Sequence, residues 1–324
     1  MTATFFSRWI PVVLLTFVTS LASAVDWPAR TIKIIVGGAP GSAPDLVARL
    51  IADRLGPKLG QAVVVENRPG AGGQIAMDVL VHSPPDGHTL ALATMSQVVF
   101  NSHMFAKLSY DPLRDLEPIG TLVTGAMAIA VHPSFPAQTF AELIDLAKAR
   151  PKELFVALPG TGSPPHVVLL MLQKEAKFEL AVVPHRSGPD AVNAVLAGGI
   201  PILMAGPTSI APHVASGRLR ALLVTGEIRE PTLPSVPTAA EAGLQTRGEA
   251  WIGLVAPART PSYVTVRMSR EAAQILSSSD VDGQLKLLGF RSLTSSPDSF
   301  ARRIRDEHAH WGTVTRELGL KLDP

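Results

Sequence analysis

Between residues 31 and 67 the chain alternates between two apolar rhythms. "TIKIIVGG" (31–38) is a short run rich in β-branched residues and predicts a buried strand. Leu46, Val47, Leu50, Ile51 and Leu55 then recur at helical spacing and predict the apolar face of a helix, and "AVVVEN" (62–67) predicts the next strand. The same alternation continues. "GHTLALATM" (87–95) predicts a strand after the turn "SPPDG", and "IGTLVTGAMAIAVHP" (119–133) a long strand or strand pair. Thr139 with Glu142 three residues on is a capping-box pattern opening a helix. "ELFVALPG" (153–160) predicts a strand and His166 to about Lys177 a helix; "LAVVPH" (180–185) follows as a strand, and Ser187 with Asp190 caps the helix of "AVNAVLAGG". "IPILMAG" and "LRALLVTG" are further strands. Beyond Pro234 the pattern predicts short helices, the aromatic strand "AWIGLVAPA" (250–258) and two C-terminal helical stretches.

Repeated β-α-β units predict an α/β protein with parallel sheets covered by helices on both faces. In open α/β sheets ligands bind beyond the carboxyl ends of strands, which directs attention to the loops 37–44, 94–101, 159–165 and 205–209.

The first 24 residues break this rhythm. Arg8 is their only charge, "WIPVVLLTFV" (9–18) is a short apolar run, and "ASA" (22–24) places small residues before a cut after Ala24. This is the pattern of a cleavable secretory signal peptide, too short to span a bilayer. No later stretch approaches the ~20 apolar residues of a membrane span. The chain has 324 residues, 46% hydrophobic and 17% charged, enough for one or two packed lobes. With 29 Lys+Arg against 27 Asp+Glu and no basic run, it has no electrostatic footprint for nucleic acid. It contains no cysteine, which excludes disulfides, thiolate catalysis and a lipid-modified N-terminal Cys. The nine histidines show no metal-ligand spacing, and no cofactor motif is present.

In "GGAPGSAP" (37–44), Pro44 suits a first helical turn, and the unpaired amides around it would stabilise a carboxylate or phosphate. The spacing is neither GxGxxG nor Walker A, so the loop reads equally as a tight βα turn. Asp45 complements the helix dipole or caps, and would repel an anionic ligand unless it faces away. Thr94, Ser96 and Gln97 lie just beyond a strand, where they would orient a ligand or cap a helix. "PGTGSPPH" (159–166) repeats the first design about 120 residues later, with Ser163 as N-cap and Pro164 at N1, which suggests two lobes facing each other. Ser163 and His166 form no persuasive nucleophile pair: there is no nucleophile elbow and no third member.

These residues resemble the Bug/TctC family, the extracytoplasmic solute receptors of tripartite tricarboxylate transporters. The resemblance is carried by "WPARTIKIIV", "PDLVARLIADRLG", "VVVENRPGAGGQIA", "PPDGHTLALAT", "LSYDPLRDLEPIG", "RLRALLVT", "PTAAEAGL" and "GLVAPARTP", in order across nearly the whole mature chain. It implies a two-lobed type II periplasmic-binding-protein fold, with Rossmann-like lobes joined by crossing strands and closing over a small carboxylate. The implied organisation is a signal peptide at 1–24, a first lobe of 25–124 completed by 226–324, and a second lobe of 125–225. It also makes "ENRPGAGG" (66–73) a structural turn fixed by Arg68 and the glycines.

Several positions depart from the family pattern. Gly37-Gly38 stands where relatives place Pro-Phe, Pro164-Pro165 replaces small or polar residues, His185 replaces a tyrosine, and Met204-Ala205-Gly206 replaces Phe-Asp-(Asn/Gly/Ser). The expected site is Ala39, Pro40, Gly41, Ser42 and Asp45 of the first loop, with Met95, Ser96 and Gln97. Across the cleft stand Gly160, Thr161, Gly162, Ser163, Ala205 and Gly206, and there are no catalytic or metal-binding residues. Loss of an aromatic wall, an acidic acceptor and a phenol implies a roomier, less polar cleft that disfavours amino-dicarboxylates. The implied role is a periplasmic receptor, itself not membrane-spanning, that delivers a small-molecule carboxylate to the membrane subunits of such a transporter. A sensor for a membrane signalling partner or a secreted hydrolase using Ser163 and His166 are the alternatives.

Overall fold

In the computed structural model, which describes residues 27–321 apart from 247, 318 and 320, each apolar run becomes a strand of one of two sheets. The signal-peptide reading and its cut after Ala24 lie outside the described residues. The first part of the chain forms β1 (Ile32–Val36), α1 (Ala43–Leu59), β2 (Val63–Asn67), α2 (Gln74–Val81), β3 (Thr89–Thr94), α3 (Asn101–Met104) and β4 (Leu116–Ala126). The middle forms β5 (Ala128–Val131), α4 (Phe140–Ala149), β6 (Phe155–Pro159), α5 (Pro164–Ala176), β7 (Ala181–His185), α6 (Gly188–Leu196), β8 (Ile202–Ala205), α7 (Pro207–Ala215) and β9 (Arg220–Val224). The last part forms β10 (Glu249–Pro257), α8 (Ser262–Leu276), α9 (Ser279–Leu287), β11 (Arg291–Ser292) and α10 (Pro297–Glu317).

The first sheet has the order β11-β4-β10-β3-β1-β2 and the second β7-β6-β8-β5-β9, which makes the fold a two-lobed α/β architecture. β1 runs parallel to β2 and β3, and β6 parallel to β7 and β8, as their helical crossovers require. The expectation of wholly parallel sheets fails at β10, antiparallel to β3 and β4, and at β5, antiparallel to β8 and β9. These strands carry the chain between lobes; no crossover helix sets their direction. The long apolar run is thus a strand pair broken at Met127, with β4 in one sheet and β5 in the other. The buried Thr225 ties the crossing together. Its hydroxyl donates to Gly248 O (2.6 Å) and accepts from Met127 N–H (2.9 Å).

Three apolar clusters hold the lobes. Val47, Leu50, Ile51 and Leu55 of α1 pack with Ile32, Ile34 and Leu254 on one face of the first sheet. Each such side chain contributes roughly 1.5–3 kcal/mol on burial. Ala128, Leu203, Ala205 and Ile210 pack on the outer face of the second sheet. The third cluster runs through both lobes, from Met77 and Phe100 through Trp251 to Leu158, Leu169 and Phe178.

Two expectations for the end of the chain are corrected. The segment after Pro234 forms turns in place of short helices, because Pro231, Pro234 and Pro237 each remove a main-chain donor. Val236 in this segment and Leu233 just before it are buried in the second lobe, and Thr238 bridges Val224. The two C-terminal helical stretches are three helices, since Ser277 and Ser278 turn their hydroxyls back onto the carbonyls of Gln274 and Ile275 and break the run.

Candidate ligand-binding cleft

Between the sheets, beyond the carboxyl ends of β1, β3, β6 and β7, lies a cleft of about 640 Å³. All four loops singled out by the rule for open sheets contribute to its lining. The N-terminal ends of α1, α5, α6 and α7 meet there, through Ser42, Ser163, Ser187 and Gly206. Each such end carries unpaired N–H groups and a partial positive charge.

The first loop is held from behind. Asp45 is turned into the protein and does not line the cleft. Its carboxylate accepts from Gly41 N–H (2.8 Å), Asn67 Nδ2 (2.9 Å) and Arg49 (3.0 Å). Burial alone would raise the Asp45 carboxyl, but the hydrogen bonds from Arg49, Gly41 and Asn67 outweigh it and hold it below the ordinary aspartate value. The anion therefore shapes the loop and faces away from a ligand. Ser42 is buried, and its Oγ has no hydrogen-bond partner among the described residues. A Cβ at Gly38 would lie 2.4 Å from that Oγ and 2.8 Å from Pro44 Cγ, so the side chains of Ser42 and Pro44 fill the space beside a bare backbone. Gln97 braces this loop from the end of β3: its Oε1 accepts from Thr94 N–H (2.6 Å), and its Nε2 fills the space beside Gly37 and Gly73.

The second loop is held differently. His166 is buried, and its Nδ1 accepts from Gly162 N–H at 3.0 Å, so the ring proton sits on Nε2. Burial pushes this imidazole down to about 4, which keeps it neutral. Ser163 Oγ accepts from the main-chain N–H of His166 at 3.5 Å as the N-cap of α5. The ring nitrogen that would activate a Ser163 nucleophile is thus occupied by an amide, and Ser163 and His166 make no nucleophile–base pair. Between the lobes, Ser96 Oγ donates to Gly162 O (3.1 Å) and Thr208 Oγ1 to Leu288 O (2.8 Å).

Of the residues expected at the site, Ala39, Gly41, Ser42, Ser96, Gln97, Gly160, Thr161, Ser163 and Gly206 line the cleft. Pro40, Asp45, Met95, Gly162 and Ala205 do not. Pro40 points to solvent, Met95 packs in the core shared by both lobes, and Gly162 is buried under the loop. Ala205 is fully buried in the second-lobe core opposite Ala128, because it is the last paired residue of β8. Sequence reasoning missed the turn 69–73, assigned there to structure alone, and Arg186, Ser187, Thr208, Ser209 and Phe290. Aromatic rings expected to be missing are supplied from elsewhere by Phe105 and Phe290, residues distant in the chain. The residues at 185–189 carried a usable signal, being one more βα loop at a strand's carboxyl end. Among the described residues, no Asp or Glu lines the cleft, and no cluster of three or more His, Asp or Glu is poised to hold a metal.

Residues 47–320 match the TctC family, described as tripartite tricarboxylate transporter family receptor. The chain belongs to this family. It is 34% identical over 311 residues to a UPF0065 protein of Bordetella bronchiseptica, covering 95% of this chain and 92% of that protein. Among solved structures it is similar to R. palustris Rpa4515 with adipate (TM-score 0.87, 29% identity, 92% of this chain and 100% of that one). It is also similar to the periplasmic binding protein BugD (TM-score 0.84, 27% identity, 92% and 100%). MatC from Rhodopseudomonas palustris, with bound malate, has a TM-score of 0.82 at 30% identity (89% and 99%). The TctC receptors bind solutes and perform no chemistry on them, in keeping with the occupied imidazole of His166. No helix among the described residues is long and apolar enough to cross a membrane.

Proposed function

We propose that this TctC receptor works in the periplasm, captures a small organic carboxylate by closing its lobes, and delivers it to the membrane subunits of a tripartite tricarboxylate-type transporter. The observation that carries this reading is electrostatic. Four helix N-termini open onto one cleft whose described lining holds no acidic side chain, and the buried hydroxyl of Ser42 stands there without a partner among the described residues. A carboxylate satisfies the free amides and that hydroxyl together. The adipate and malate held by the two R. palustris proteins support the same ligand chemistry. Closure would turn on the Met127 crossing and the Thr225–Gly248 tie, and the N-terminal 24 residues would direct export and be removed after Ala24.

The test is a thermal-shift screen of the purified protein against mono-, di- and tricarboxylates and their uncharged amides. A bound acid at 100-fold its Kd adds about 2.7 kcal/mol to stability and raises Tm, while the matching amide has no effect. Aspartate and glutamate are expected to be weak ligands, because no carboxylate in the described lining would pair with their ammonium group. A screen in which only amides or amines raised Tm would sink the carboxylate reading.

A further inference from the structure

Arg186 stands apart from the other arginines near the cleft. It follows β7 directly and precedes Ser187, the N-cap of α6. Among the described residues lining the cleft it is the only charged one, and it forms no ion pair or hydrogen bond with any described residue. Arg49 at the first loop is by contrast bound to Asp45, and Arg291 behind Phe290 is bound to Glu249. Next to Arg186, His185 also lines the cleft, and its buried Nε2 has no partner among the described residues. The nearest acid on this segment, Asp190, accepts the hydroxyl of Ser187 (2.9 Å) and does not line the cleft.

A single carboxylate fills a small part of about 640 Å³. Beside its polar groups, the lining includes Met127, Leu288, Phe290 and Pro189, which offer no side-chain hydrogen bond. A guanidinium without a described partner, helix-end amides and apolar side chains in one cleft match a ligand with two anionic groups and an unsubstituted linker.

We propose that Arg186 is a specificity-determining residue that receives the second carboxylate of an aliphatic dicarboxylate, with His185 Nε2 beside it. This rests on the carboxylate-receptor reading and adds the number of the ligand's charges. A guanidinium takes a carboxylate through two parallel N–H···O bonds, which an ammonium or an amide does not reproduce. A monocarboxylate of equal length satisfies the helix ends and leaves Arg186 in water.

The test is isothermal titration of the purified protein with adipate and with hexanoate, which share a six-carbon chain and differ by one carboxylate. Adipate is expected to bind at least about tenfold tighter. In Arg186→Gln that ratio falls to about one to two, and in Arg186→Lys it lies between. Arg302→Gln removes a positive charge from exposed α10 outside the cleft and is expected to keep the wild-type ratio, which separates contact from overall charge. Equal affinities in the wild type, or an unchanged ratio in Arg186→Gln, would overturn the assignment while leaving the carboxylate reading intact. If neither acid binds, both fall. Should Arg186→Gln not fold, as judged by circular dichroism, the wild-type ratio and the Lys variant decide the matter alone.

Discussion

At the head of α1 a buried carboxylate gathers the loop: Asp45 accepts from Gly41, Arg49 and Asn67. At the head of α5 a buried neutral imidazole does the same work, His166 accepting from Gly162. The two loops carry the same glycine, serine and proline signals and face each other across one cleft, yet their serines differ in role. Ser163 caps its helix, whereas the Ser42 hydroxyl bonds no described residue. The carboxylate needs outside cations and donors to be tolerated in the interior, and Arg49 and Asn67 supply them from α1 and β2. The imidazole needs only to stay neutral, and burial suffices. One architecture thus reaches two similar ligand-facing surfaces by anchors of different charge, and the anchors respond differently to mutation and to acid.

The largest expected effect is the loss of the charged anchor. Asp45→Ala leaves Gly41 N–H without its acceptor, removes one of the two acceptors of Asn67 Nδ2 and unpairs Arg49, and is predicted to cost ~3 kcal/mol, measured by urea unfolding. A cost below about 1 kcal/mol would mean that the carboxylate does not organise the loop.

Acid separates the anchors. His166 has an ordinary value of 6.5 and lies at about 4 in the folded protein, so between those values the unfolded chain binds more protons and stability falls as pH falls. Integrated from pH 7 to 5 the loss is ~2 kcal/mol. The Asp45 contribution is present above the ordinary aspartate value of 3.8 and is lost only as pH falls below it. Burial also lowers His103, His308 and His213, so the informative quantity is the difference between wild type and His166→Gln, which keeps an acceptor for Gly162 but does not titrate. The variant should lose ~2 kcal/mol less over that interval. Equal slopes for the two proteins would show that His166 is already protonated near pH 6.

The serine pair gives the smallest change and the sharpest contrast. Ser163→Ala removes a cap and is expected to destabilise by ~0.5–1 kcal/mol. Ser42→Ala removes a hydroxyl with no partner and is expected to leave stability within ~0.5 kcal/mol, while weakening carboxylate binding about tenfold in titration calorimetry. If both variants lost stability equally and bound equally, the distinction between a capping and a ligand-facing serine would be wrong.

Much of the cleft was legible because βα loops announce themselves locally. Glycine spacing, a serine before proline, and the end of a β-branched run mark the loops after β1, β3, β6 and β8, and all four line the cleft. The same reasoning misplaced Ala205, because strand register decides whether the last residue of a strand faces a core or a ligand, and the family pattern does not show that register. It also misjudged the aromatic wall. Gly38 locally signals an opening, but Phe105 and Phe290 arrive from segments that join the same cleft only after folding. The antiparallel direction of β5 and β10 was hidden for a related reason: periodicity reports burial and is blind to strand direction.

Sequence by itself determined the α/β class, the caps of α4, α5 and α6, the positions of the ligand-facing loops and the absence of thiol chemistry. Each of these depends on residues a few positions apart. Only the tertiary structure decided that Asp45 turns inward toward Asn67, and that among the described residues Ser42 is left without a hydroxyl partner and Arg186 joins the cleft without a counter-ion. Those outcomes depend on how two sheets pack around a crossing at Met127 and Thr225, bringing together segments about a hundred residues apart, and no local pattern encodes that juxtaposition.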